Sequence, residues 1–185
     1  PRRVPHTRRV AGQFPTGLDL GRFGVAGELL TTADISALVN LACTAEAFAE
    51  AGLTPEELLA EVHPALVANT QGAGMGGMGS LRHVLLDHLL DAERQNDRLQ
   101  ESLGNVVAAH VVQGYVGSYG PMVHPVAACA TAAVSLELAV DQITSGRAQA
   151  VLAGGFDDLT SESVLGFADM HATADSDELE AMGIA

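Results

Sequence analysis

The residue best placed to do chemistry is Cys129, the centre of an Ala-Ala-Cys-Ala-Thr run over 127–131. The pattern around it predicts a strand over 123–128, a helix over 129–144 and a second strand over 148–153, with Gly146 as the helix stop. Alanines at 127, 128, 130 and 132 are small enough to allow a sharp strand-to-helix turn and to leave the sulfur approachable. The helix N-terminus would direct unpaired N–H groups and a partial positive charge at that sulfur, favouring thiolate over thiol. The same N–H groups, that of Cys129 included, would form half of an oxyanion hole for a thioester under attack. This is acyl-transfer geometry. A lone cysteine is ordinarily a small buried hydrophobe, and it is the strand-turn-helix setting that makes Cys129 a nucleophile.

The other chemically capable residues point elsewhere. Gly72-x-Gly74-x-x-Gly77 follows a predicted strand and opens a predicted helix, which satisfies the dinucleotide-binding fingerprint literally. A nicotinamide-binding reductase domain built on the Gly72–Gly77 turn is therefore the alternative reading. It lacks a strand ending in an acidic residue about 20 positions on, since Asp91 and Asp97 lie in a polar, helical or irregular stretch. The competing role for these glycines is close backbone passage at the floor of a site. Asp157 and Asp158, leaving a predicted strand, point apart and suit loop shaping better than shared metal or acid–base work. His124 precedes Cys129 by an odd number of residues, which on a strand sends the two side chains to opposite faces. His83 and His88 are about 140° apart on a helix, poor spacing for one metal. No histidine is assigned to catalysis, Cys43 is expected in a helix core, and no metal or structural zinc is expected.

Composition narrows the class. The 185 residues carry 23 acidic and 9 basic side chains, a net charge of −14, so nucleic acid is an unfavourable partner. All nine basic residues are Arg, which excludes a Schiff-base or P-loop lysine within this chain. Arg2, Arg3, Arg8 and Arg9 crowd the N-terminus without a following apolar segment, so 1–30 reads as an arm or linker rather than a targeting peptide. Ser102–Leu136 contains no Asp, Glu, Lys or Arg, yet its polar residues, prolines and glycines deny it the unbroken apolar run of a membrane span. A deeply buried core is the expectation for that stretch. Two cysteines without ligand spacing suit a reducing cytoplasm.

The scaffold reads as α/β. Apolar residues at 35, 38, 39, 42, 45 and 48 predict a helix over 32–52. Thr54 before Pro55-Glu56-Glu57 predicts a capped helix to about Val62. A buried strand over 65–69, a helix near 81–90 and another over 103–116 follow, with Gly120-Pro121 as a turn. The helix from Cys129 has charges only at Glu137 and Asp141, on one narrow stripe, so it is expected to be buried on nearly all sides. Strand, buried helix and returning strand make a parallel crossover unit.

Asn105-Val-Val-Ala-Ala-His110, Gly120-Pro121, Val126-Ala-Ala-Cys129-Ala-Thr131 and Ala153-Gly-Gly-Phe-Asp157 resemble, in order and spacing, the β-ketoacyl synthase series. Phe167, Met170 and Ala172 resemble that family's motif after the Gly-Gly strand. The segments beginning at Phe14, Cys43, Gly74 and Gln95 resemble the fungal and mycobacterial multifunctional type I fatty acid synthases. The resemblance implies the N-terminal half, over 31–185, of a thiolase-like fold layered α/β/α/β/α. It implies that Cys129 takes an acyl chain as a thioester and that malonyl-carrier protein then condenses with it after losing CO2. Two histidines, a lysine and a second oxyanion N–H would come from the other half of the domain. No cofactor is expected in this domain, and substrate would arrive on the phosphopantetheine of an acyl carrier protein. The implied partners are that carrier domain, the C-terminal half of the ketosynthase, a ketoreductase domain and a second ketosynthase in a homodimer within a hexamer. The chain reads as an excerpt of something longer, inactive and insoluble alone.

Overall fold

A computed structural model describes residues 7–9, 12, 17, 19–25, 27–92, 97–157 and 159–184. The chain forms two compact units, one of Asp19–Asp158 and one joining Pro1–Leu18 to Leu159–Ala185.

In the larger unit a 3₁₀ turn over Leu20–Phe23 precedes helix α1 (Gly27–Thr32) and the long helix α2 (Ile35–Glu50). Asp34 caps α2. Burial alone would raise its carboxyl pKa, but backbone and hydroxyl bonds from Ser36 and Ser80 together hold it below the usual value. Helix α3 (Pro55–Glu61) begins with the full capping box, Thr54 Oγ1 accepting from Glu57 N–H and the Glu57 carboxylate accepting from Thr54 N–H. The Thr54 start was legible as a small polar residue ahead of proline and acids, whereas the helix expected over 32–52 came from apolar spacing and the Asp34 cap was not singled out.

Strand β1 (Val67–Asn69) pairs in parallel with β3 (Ala150–Leu152), and β2 (Gly72–Ala73) with β4 (Gly155–Phe156). Between the pairs, Thr70 N–H donates to Leu152 O and Gly72 N–H to Gly154 O, so the two short pairs make one bent ladder. On the other edge of β1, Asn69 forms a parallel bridge with Met122. The expected strand over 123–128 does not form, the bridge residue Met122 lying just before it. Pro125 has no N–H to donate, and its carbonyl turns onto Gly72, where a Cβ would collide with it.

Helix α4 (Met78–Leu89) and the short α5 (Arg98–Glu101) follow β2. The single helix expected over 103–116 divides into α6 (Gly104–Ala109) and a π-helical stretch, His110–Val116, closed by left-handed Gly117. Leu41, Phe48, Val67, Val111 and Val116 form the core where α2, β1 and this stretch meet, with Leu53, Leu58, Leu59 and Val62 around it.

Helix α7 (Thr131–Thr144) crosses the ladder and stops at Gly146, whose φ is +72°. It is not buried on nearly all sides. Thr131, Ser135, Ala139 and Gln142 face the strands, while Leu136, Val140 and Ile143 are about half exposed (59%, 58% and 48%). Nor is 102–136 uniformly core, since 119–123 and 128–130 are mostly exposed. The low charge of these segments was legible; among the described residues, only one face of α7 is covered.

In the smaller unit, α8 (Ser161–Asp169) is capped by Thr160, and α9 (Ser176–Ala181) by Asp175, which accepts from Asp177 and Glu178 N–H groups. Thr7 donates to the Asp175 carboxylate, and Arg9 pairs with Asp177 (3.0 Å) and Glu180 (3.4 Å). Arg8 reaches the Thr173 carbonyl and His171. Part of the basic arm thus lies on acidic sequence; Arg2 and Arg3 fall outside the described residues. No described helix is long and apolar enough to cross a membrane.

Candidate active site

Cys129 lies in a 3₁₀ turn, Ala128–Ala130, that runs directly into α7, and it is exposed. Ala128 takes φ +48°, a left-handed backbone that costs an alanine about 1–2 kcal/mol. Thr131 holds that turn. Its Oγ1 accepts from Ala127 N–H (3.0 Å) and donates to Ala128 O (2.8 Å), and the residue is only 3% exposed. Within the turn, Ala130 N–H donates to Ala127 O (3.0 Å) and Thr131 N–H to Ala128 O, which closes the elbow on itself.

A buried polar frame fixes α7 to the ladder. Thr70 Oγ1 donates to Ser135 O, and Ser135 Oγ accepts from Gly154 N–H. Gln71 accepts through Oε1 from Asn40 and Asn69 and donates through Nε2 to Thr44, joining β1 to α2. Gly155 lets helix and strand touch: a Cβ there would lie 2.9 Å from Ala132 Cβ and N. Thr131, Ser135 and Gln71 were not singled out from the sequence. Thr131 carried a readable signal, a hydroxyl two residues into the helix after Cys129, where it can bond back to the turn.

The glycine-rich segment is a floor, not a phosphate cradle. Gly74 and Met75 N–H groups both donate to Asp157 Oδ1, at 3.0 and 2.8 Å. Gly77, left-handed at φ +73°, packs so closely on the 101–102 backbone that a Cβ would sit 2.6 Å from Ser102 O. The N–H groups that a pyrophosphate would use are already taken by a carboxylate, and the helix start is covered. The nicotinamide reading of Gly72–Gly77 therefore fails on geometry, and Asp157 shapes the loop. Asp158 lies outside the described residues.

Other candidates fall away from the sulfur or into supporting roles. His124 Nδ1 is 3.0 Å from Gln71 O, and its ring tilts on Phe156. Burial pushes its pKa below the usual histidine value, with the Gln71 bond opposing. His110 sits 3.0 Å from the buried Glu101 carboxylate, whose other oxygen accepts from Asp34 N–H. His83 faces Asp87 one helical turn on. Cys43 is not in the helix core. It is exposed and lines a cavity of about 410 Å³ with Asn40, Thr44 and Phe48, because it lies one residue off the apolar stripe through Ala42 and Ala45.

The model of the β-ketoacyl synthase N-terminal domain matches residues 3–183. The chain belongs to that family. It is 41% identical over 179 residues to fatty acid synthase 2 of Mycosarcoma maydis and equally to fatty acid synthase subunit alpha of Candida albicans, covering 96% of this chain. It spans only 5% and 10% of those two proteins. Among solved structures, a β-ketoacyl synthase from Burkholderia phymatum superposes with a TM-score of 0.72 at 18% identity, over 90% of this chain and 39% of that one. The FabY ketosynthase of P. aeruginosa gives 0.62 at 24% identity, over 71% and 21%. The architecture is thus the thiolase-like α/β fold of the ketosynthases, represented here by its N-terminal part.

Proposed function

We propose that this ketosynthase chain carries the nucleophile of the condensing domain of a multifunctional type I fatty acid synthase. The observation that supports it is the exposed Cys129 at the head of α7, following left-handed Ala128, in a chain similar to fungal synthase subunits. The Cys129 thiolate attacks the acyl thioester on the phosphopantetheine of an acyl carrier protein. A new C–S bond forms, the carrier thiolate leaves and takes a proton, and the chain is held on Cys129. Malonyl-carrier protein then loses CO2, its carbanion attacks the acyl carbon, the C–S bond to Cys129 breaks and a β-ketoacyl-carrier product departs. The Cys129 N–H group receives the oxyanion in both steps. The domain binds no cofactor of its own.

The bases for decarboxylation belong to the C-terminal half of the ketosynthase, which also covers the apolar face of α7. By itself the 185-residue chain is inactive. The assembled protein is cytoplasmic, with a ketoreductase domain in the same polypeptide and ketosynthase homodimers within a hexamer. Retention of Cys129 favours an enzyme over a non-catalytic scaffold of the same fold. In the complete synthase, Cys129→Ala is expected to abolish acyl loading and chain elongation, measured by radiolabelled acyl transfer and product formation. Unimpaired elongation would overturn the assignment.

A further inference from the structure

Asp157 is bonded to the Gly74–Met75 turn, and Gly74 lies beside Ala128, the residue before Cys129. Its Oδ1 takes both N–H groups of the turn, at 3.0 and 2.8 Å. A Cβ placed on Gly74 would lie 3.3 Å from Asp157 Oδ1 and 3.6 Å from Ala128 Cα, so the same side of Gly74 faces both the carboxylate and the left-handed residue. Asp157 immediately follows β4, whose partner β2 immediately precedes Gly74, so the side chain extends the β2–β4 pairing by one more link. Ala128 in a left-handed conformation persists only where its surroundings impose it. Thr131 does so from within the elbow, through Ala127 N–H and Ala128 O. From the strand side, the contact is the Gly74 turn.

We propose that Asp157 is a positioning residue for Cys129: its carboxylate clamps the Gly74–Met75 turn, and the clamped turn holds the Ala128 backbone that sets the sulfur at the head of α7. Asp157 touches neither substrate nor sulfur. What the clamp needs is one acceptor oxygen at the right place, not a charge. Asparagine supplies that oxygen; alanine supplies none; glutamate keeps the charge but carries the acceptor one methylene too far. The inference rests on Cys129 being the acyl acceptor, but the geometric part can be read without that activity.

The experiment uses the full-length synthase with Asp157→Asn, Asp157→Ala and Asp157→Glu. Two rates are measured on each: acyl loading of Cys129 from limiting acyl-carrier substrate, and alkylation of Cys129 by iodoacetamide across pH, followed by peptide mass spectrometry. Cys43, exposed on α2, is the internal reference for alkylation. The expected result is loading within about threefold of wild type for Asn and slowed roughly tenfold or more for Ala and Glu, the scale of a misplaced reacting group. The Cys129-to-Cys43 alkylation ratio should shift for Ala and Glu and stay put for Asn, with the midpoint of its pH profile unmoved in Asn. General unfolding would raise both cysteines together and leave no such selectivity. If Ala fails to fold, the Asn and Glu pair still decides. Glu retaining wild-type loading while Asn loses it, a profile midpoint that moves in Asn, or wild-type rates in all variants would overturn the proposal. Active Cys129→Ala synthase would instead overturn the nucleophile assignment while leaving the alkylation ratios interpretable.

Discussion

His124 shows how a residue close in sequence to Cys129 can be tied into the scaffold. Nδ1 within 3.0 Å of Gln71 O makes it the donor, so the neutral ring already satisfies the carbonyl. The other nitrogen crowds Gly104, where a Cβ would approach Nε2 to 2.6 Å. Burial lowers the folded pKa, whereas an unfolded histidine titrates near about 6.5. As pH falls below that value the unfolded chain takes a proton that the folded chain resists. The stability contributed is therefore complete above about pH 6.5 and is lost progressively as pH drops toward the lowered folded pKa. Heated briefly, the ketosynthase of the full-length synthase should inactivate faster near pH 5.5 than near pH 7.5, and His124→Gln, which keeps a donor for Gln71 O, should flatten part of that difference. Equal pH slopes in the two proteins would count against it. The sequence ruled His124 out through a strand that the structure does not form; a partner found only on folding, the Gln71 carbonyl, is what settles its role.

At the scale of elements, the adjacent glycines Gly154 and Gly155 illustrate what spacing can and cannot reveal. Of the two, only Gly155 is a site of close backbone approach. A Cβ at Gly155 meets Ala132 at 2.9 Å, whereas at Gly154 the nearest atom is Gln71 Cγ at 3.9 Å. Gly155→Ala should push α7 away from β4 at about 1–3 kcal/mol, the usual scale of overpacking, and slow acyl loading of Cys129. Gly154→Ala should remain within about 0.5 kcal/mol of wild type, as surface-like substitutions do. Thermal inactivation and single-turnover loading would check both, and equal losses would contradict the packing assignment. The helices with caps, α2 and α3, were legible because their signals are local. The elbow was legible in outline, since small residues around Cys129 and a following apolar helix survive as pattern. The left-handed Ala128, the Thr131 bracket and the Asp157 clamp were not, because each depends on segments that only folding brings together.

For the whole molecule, the revealing feature is the half-exposed line of Leu136, Val140 and Ile143 along α7. α7 read as buried throughout because Glu137 and Asp141 are its only charges, and low charge alone does not say how many faces are covered. Its spacing of four then three puts the line on one face, about 100° round the helix from Ser135, Ala139 and Gln142. Contiguous exposed apolar surface of this kind marks a contact to be covered or a liability to aggregation. The chain spans 5% and 10% of two of its relatives, whose remaining polypeptide is ample to cover such a face in those proteins. The two contexts make opposite demands on the same residues. Leu136→Glu with Val140→Gln should raise the soluble fraction of the isolated 185-residue chain, by removing the exposed apolar line without touching the face against the ladder. In the complete synthase the same pair buries a carboxylate at a packed face, where an unpaired charge costs several kcal/mol, and acyl loading of Cys129 should collapse. Soluble yield and loading measured side by side test this. A pair that leaves both unchanged would mean that α7 is exposed in the full protein as well.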